Sequence, residues 1–120
     1  MNDLNKAEKK VIDRCGTEPR FSSELLCEER KGTFNCKKCG QPLFSSEHKF
    51  ESGSGWPSFY DIIESKKVGQ REDNSHGMIR TEVFCTGCKA HLGHLFKDGP
   101  QDETGLRYCI NGIALTFEKD

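Results

Sequence analysis

The sequence is poor in apolar residues and has no long run of them. The hydrophobic set makes up 33% of 120 residues, and no stretch approaches a membrane span. A core that thin commonly needs a staple, either a metal or disulfides. A charge excess of one sign is missing too. Eighteen Lys and Arg face 19 Asp and Glu, scattered rather than blocked, for a formal net charge of −1. That excludes the basic stripe of a nucleic-acid binder. The N-terminus, Met1 to Arg14, is charged throughout and lacks the apolar segment of an export signal. There is no internal repeat, low-complexity tract or linker. Together these absences predict a soluble, cytoplasmic chain of one domain, 1–120, without membrane or nucleic-acid partners. Nothing points to an obligate partner subunit, so a monomer is expected.

What the chain has in quantity is cysteine. There are 7, an odd number. In a chain with no export signal, metal ligands plus a reactive thiol explain that count better than disulfides do.

A helical pattern runs from Asp3 to Arg14, with Leu4, Ala7, Val11 and Ile12 on one face and Gly16 as a C-cap. A second short helical piece is predicted over Ser22 to Glu29, completing an N-terminal helical arm at 1–30. From 31 to 120 the character is β. Thr33 to Asn35, Lys49-Phe50 and Phe59 to Ile63 are weak strands. Met78 to Phe84 alternates better, with Ile79, Thr81 and Val83 on one face. Leu106 to Phe117 is the strongest segment, with a phase slip at Gly112 that predicts a β-bulge. Before that slip, Arg107, Cys109 and Asn111 share a face.

Cys36-Lys37-Lys38-Cys39 and Cys85-Thr86-Gly87-Cys88 are two CxxC pairs separated by residues 40–84. Each can hold one ion from a tight turn, and together they complete a tetrahedron of thiolates around one structural Zn²⁺ with no open position. Gly40 and Gly87 suit the strained backbone of such knuckles. A thioredoxin-type redox pair needs a βαβ pattern, which is absent, and four buried thiols without metal is the plainest alternative.

Removing those ligands leaves Cys15, Cys27 and Cys109. Cys109 stands out because Arg107 on its face favours the thiolate, the nucleophilic form, and Asn111 offers a donor or acceptor to a substrate. His91 and His94 are three apart, so a regular strand sends them to opposite faces unless Gly93 supplies a bend. A histidine beside a thiol can act as general acid near neutral pH. Trp56, the only tryptophan, lies in the Gly/Pro-rich Gly53-Ser54-Gly55-Trp56-Pro57-Ser58-Phe59 loop, where its indole can wall an apolar group such as a methyl. Trp56 and Phe59 are the candidate substrate-binding side chains.

Taken together, these residues resemble the methionine sulfoxide reductase B (MsrB) family. The likeness runs from about Gly16 to Phe117 and includes Gly32-Thr33-Phe34-Asn35-Cys36, Ser52 to Phe59, Arg80-Thr81-Glu82, His91-Leu92-Gly93-His94 and Arg107-Tyr108-Cys109-Ile110-Asn111. The resemblance implies a mainly β fold of two small antiparallel sheets with a four-cysteine zinc site. It implies reduction of methionine-R-sulfoxide, free or in oxidised proteins, with Cys109 attacking the sulfoxide sulfur. His91 and His94 then bind and protonate the oxygen, His94 being the stronger acid candidate. Trp56 receives the substrate methyl, Arg107 favours the thiolate and Asn111 lines the substrate site. The sulfenic acid left on Cys109 is recycled by thioredoxin or a similar thiol reductant. One departure matters. Many members carry a resolving cysteine where this chain has Ser54, so Cys15 or Cys27 must substitute, or an external thiol reacts directly. Two rival classes are a non-catalytic zinc-ribbon adapter or chaperone, and a Cys-His hydrolase acylated at Cys109.

Overall fold

The structure, a computed structural model, describes residues 2–120. Nine strands form two antiparallel sheets. In the smaller, β1 (Gly32–Cys36) lies between β2 (Pro42–Ser45) and β9 (Leu115–Lys119). The larger runs β3 (Lys49–Phe50), β4 (Ser58–Phe59), β8 (Arg107–Ile110), β7 (His91–Phe96), β6 (Arg80–Cys85) and β5 (Val68–Asp73). The expected mainly β architecture of two antiparallel sheets is therefore present.

An aromatic core joins the sheets. Phe34, Phe44 and Phe59 are all fully buried, with Phe44 and Phe59 stacked at 4.5 Å and Phe34 meeting Phe59 edge-on at 5.0 Å. Such offset pairs add to the burial of large apolar faces. Phe59 thus sits in the core and not beside a substrate, because its inward β4 position aims it at the other sheet. Phe59→Ala is expected to cost about 3–5 kcal/mol of stability, as a lost core aromatic does. A urea midpoint unchanged by the substitution would contradict that placement.

Three sequence expectations need correction. The Leu106 to Phe117 segment is not one bulged strand. It is β8, a 3₁₀ turn at Gly112–Ala114 closed by Ala114 N–H donating to the Asn111 carbonyl at 2.9 Å, and then β9 in the other sheet. The phase slip records a change of sheet. Ile79 is 80% exposed and lies outside β6, whose alternation begins only at Arg80. In the second CxxC turn the left-handed residue is Lys89 (φ 66°) and not Gly87, matching Gly40 (φ 82°) in the first.

The arm is more compact than its pattern suggested. Helix α1 covers Lys6–Ile12 only, started by a capping box between Asn5 and Glu8 that satisfies two otherwise orphaned N–H groups. Val11 and Ile12 are buried, whereas Ala7 is exposed. The residue that turns left-handed after the helix is Cys15 (φ 55°) rather than Gly16. The second piece is a single 3₁₀ turn, Glu24–Cys27. No helix among the described residues is long and apolar enough to cross a membrane.

Candidate active site and metal centre

The four CxxC thiols converge. Cys36 Sγ lies 3.6 Å from Cys88 Sγ, and Cys39 Sγ lies 3.6 Å from Cys85 Sγ. All four sulfurs fall within 4.8 Å of one another. Sulfurs around a tetrahedral ion with 2.3 Å metal–sulfur bonds stand about 3.8 Å apart. The two turns are built alike. Cys36 N–H donates to the Gln41 carbonyl (2.8 Å) and Gly40 N–H to the Cys36 carbonyl (2.8 Å), while Cys85 N–H donates to Ala90 (2.9 Å) and Lys89 N–H to Cys85 (2.7 Å). Hydrogen bonding from Cys36 holds Cys85 down to about 5, while burial pushes Cys88 up to about 11. The hydrogen bond with Cys85, together with burial, pushes Cys36 upward. One thiolate forms readily, but four cannot coexist without a cation between them, so the donor set fits a metal ion.

The second convergence is around Cys109. A cavity of about 80 Å³ is lined by Thr17, Trp56, Arg80, Gly93, His94, Phe96, Cys109 and Asn111. One water needs about 10–15 Å³ of such space, so the cavity admits a small group of several heavy atoms. His94 and Cys109 are direct partners across β7 and β8. Both histidines reach one face because β7 carries a bulge. Val83 pairs with Gly93 and Phe84 with His91, leaving Leu92 as the extra residue. The rings stand 5.4 Å apart. Gly93 is required for a second reason, since a Cβ there would lie 2.0 Å from the Cys109 carbonyl oxygen.

Each imidazole has its own carboxylate. His91 Nδ1 is 2.8 Å from Glu82 Oε2, and His94 Nε2 is 2.7 Å from Asp73 Oδ2. Arg71 grips Glu82 with two bonds of 2.7 and 3.0 Å. Burial lowers the His94 pKa, against a smaller opposite pull from Asp73. The Cys109 thiol is pushed up by burial, although Ser54 and Arg107 both pull it down. Arg107 thus favours the thiolate as expected, but desolvation outweighs it. Arg107 is itself engaged, donating twice to Asp98 at 2.8 and 3.2 Å.

Asn111 also differs from expectation. Its Nδ2 donates to the Leu92 carbonyl at 3.0 Å, and its Oδ1 accepts from Glu18 N–H at 3.0 Å. The amide lines the cavity while fastening main chain on both sides. Glu18 belongs to the same fastening, accepting from Gly112 N–H (2.7 Å) and Ile113 N–H (2.9 Å), while its carbonyl takes Trp56 Nε1–H at 2.9 Å. The arm is thereby part of the cavity wall.

Among the remaining cysteines, the Cys15 thiol lies 3.9 Å from Glu82 Oε2, and Cys27 lines a separate cleft with Lys49 and Glu51. Ser54, not a cysteine, is what lies beside Cys109, with Oγ 3.9 Å from Sγ. All seven cysteines are free thiols. Sequence reasoning missed Glu18, Asp73 and Asp98, and left Glu82 without a role. A lone acid in a strand or loop carries no signal for the base it will meet across a sheet.

Residues 4–119 match the family model described as the SelR domain. The chain is 52% identical over 117 residues to "Peptide methionine sulfoxide reductase MsrB" of Methanosarcina mazei, covering 98% of this chain and 83% of that protein. It is 48% identical to the protein of the same description from Leptospira interrogans (118 residues; 98% and 89%). The Acinetobacter baylyi protein of that description is 47% identical over 120 residues (100% and 86%). Among solved structures, the Mis18 "Yippee-like" domain superposes with a TM-score of 0.60 at 20% identity, over 76% of this chain and 98% of that one, which is a likeness of fold alone. Through the SelR match and these relatives, the chain belongs to the MsrB family.

Proposed function

We propose that this chain reduces methionine-R-sulfoxide, free or within proteins, to methionine. The observation that carries this is the pairing of Cys109 with His94 across two strands, at a small cavity walled by Trp56. Membership of the MsrB family supports the same reaction and disfavours the adapter and hydrolase readings.

Each side chain then has a chemical part. Trp56 takes the methyl against its indole face. His94, backed by Asp73, gives a proton to the sulfoxide oxygen as the S–O bond polarises, and His91, backed by Glu82, holds that oxygen. Cys109 sulfur attacks the substrate sulfur. The oxygen leaves with Cys109 as a sulfenic acid, methionine departs, and the proton released by the thiol restores the one lent by His94. Arg107 and Ser54 offset part of the burial that opposes thiolate formation. Asn111 acts through position, holding the arm and β7 at the cavity.

The four-cysteine centre holds zinc in this reading, as a closed structural site that contributes no step. The chain works as a monomer in the cytoplasm. Recycling uses two thiol equivalents from thioredoxin or a similar reductant: the first condenses with the sulfenic acid and releases water, and the second reduces the resulting disulfide. Of the two candidate resolvers we favour Cys15. It is two residues from Thr17, which lines the cavity, whereas Cys27 faces another cleft. One equivalent of substrate without external thiol is expected to leave a Cys15–Cys109 disulfide, read by peptide mass spectrometry. A Cys27–Cys109 bridge, or a sulfenic acid stable in the presence of free Cys15, would rule Cys15 out.

The reaction itself is tested by supplying separated R and S epimers of a methionine sulfoxide derivative, with dithiothreitol as reductant. Turnover is expected for the R epimer only. A folded, zinc-loaded sample with no turnover on either would sink the reductase and revive the adapter.

A further inference from the structure

One cluster of ligating side chains stands apart from the four-cysteine centre. Cys15 Sγ, a Glu82 carboxylate oxygen and a His91 ring nitrogen all lie within 4.8 Å of one another. Glu82 Oε2 is the shared point, 2.8 Å from His91 Nδ1 and 3.9 Å from Cys15 Sγ. Donors around a tetrahedral zinc ion stand about 3.3–3.7 Å apart, so only small side-chain movements are needed to admit one. We propose that Cys15, Glu82 and His91 form a second zinc site, which ties down His91 and Cys15 when occupied.

Thiolate, imidazole and carboxylate are together a donor set for zinc and not for magnesium or calcium. Three protein ligands leave the fourth position to water. The charge balance also fits. Arg71 and Asp73 act on the Cys15 thiol with opposite signs, and the thiolate and Glu82 carry two negative charges that a divalent ion would neutralise. Arg71 keeps its 2.7 Å bond to Oε1, while its 3.0 Å bond to Oε2 gives way to the ion. With His91 Nδ1 on the metal, the ring N–H moves to Nε2, which has no partner among the described residues, so no existing hydrogen bond is lost there.

Access and placement agree as well. Glu82 and His91 are buried at 5% and 1% exposure, while Cys15 is exposed and forms the entrance. Cys15 also sits at φ 55°, a left-handed conformation that non-glycine residues adopt at a cost, and this turn is what presents the thiol to Glu82. The ligands come from the arm, β6 and β7, so an ion here would clip the arm to the large sheet. Its effect on turnover rests on the role given above to His91, but its binding does not.

Binding is therefore the measurement. Zinc-loaded full-length protein would be titrated with Zn²⁺ in competition with a chromophoric chelator, without thiols. In parallel, iodoacetamide labelling would be mapped by mass spectrometry with and without added Zn²⁺. Wild type is expected to retain two ions per chain, Cys15→Ser and Glu82→Gln one, and Cys27→Ser two. Added zinc should slow alkylation of Cys15 at least tenfold and leave Cys27 unaffected. A wild type that retains only one ion, or a Cys15→Ser variant that retains two, overturns the site. Both outcomes are independent of whether the protein reduces methionine sulfoxide.

Discussion

Replacing Cys109 with serine is expected to reduce turnover of methionine-R-sulfoxide by roughly three orders of magnitude or more, the scale of losing a covalent nucleophile. A serine oxygen cannot accept the sulfoxide oxygen as a thiol can, because the product would be a peroxide. The fold should survive, since serine is nearly isosteric and Cys109 is only half-buried. A variant that folds and loses activity while still binding substrate against Trp56 places the loss in chemistry; residual activity within tenfold of wild type would remove Cys109 from the mechanism. The pH dependence carries a second check. Burial raises the Cys109 thiol above its ordinary value, so its rate of alkylation should keep climbing past the pH at which an ordinary thiol levels off. Ser54 pulls the thiol down, so Ser54→Ala should move the profile further upward.

Losing the metal is expected to unfold the protein rather than impair it. Structural zinc in small domains carries an apparent binding free energy of about 10–16 kcal/mol, against a usual net stability of about 5–15 kcal/mol. Cys36 and Cys85 end β1 and β6, one in each sheet, so an ion held by the four cysteines would tie the two sheets together. Chelation, or Cys36→Ser, should abolish the cooperative thermal transition, and elemental analysis of protein purified without excess zinc should give at least one ion per chain. A chelated sample with an unchanged midpoint would show that the aromatic core suffices.

Both sites were readable to different depths. The metal centre was legible because CxxC is a local device: the ligands of each half are set by one turn, and only the meeting of the halves depends on the fold. Cys109 and its neighbours were legible because a strand's two-residue period is also local. The histidines were half legible. Gly93 marked a place for a bend, but the bulge is made by Leu92 and by pairing with β6, which no local pattern specifies. Glu18, Asp73 and Glu82 were out of reach, because what matters about them is a partner 9 to 95 residues away. Phe59 was misplaced for a related reason. Trp56 and Phe59 share a loop motif, yet three steps along the chain take the side chain from the cavity wall to the inter-sheet core. The sheet change at Gly112 was misread because a bulge and a crossover leave the same phase slip in a sequence.

The fastening by Glu18 bears on the order in which this protein assembles. Its carboxylate is bonded to amides 94 and 95 positions away, across nearly the whole chain. Closing so long a loop is entropically slow, and its reward arrives only once β8 and β9 are already in place. The cavity around Cys109 is therefore a late product of folding and an early casualty of local opening. The Gly112 and Ile113 amides should exchange with solvent at the rate at which the arm lifts, faster than the β1 amides, and each such opening exposes the thiol that the folded state keeps half-buried.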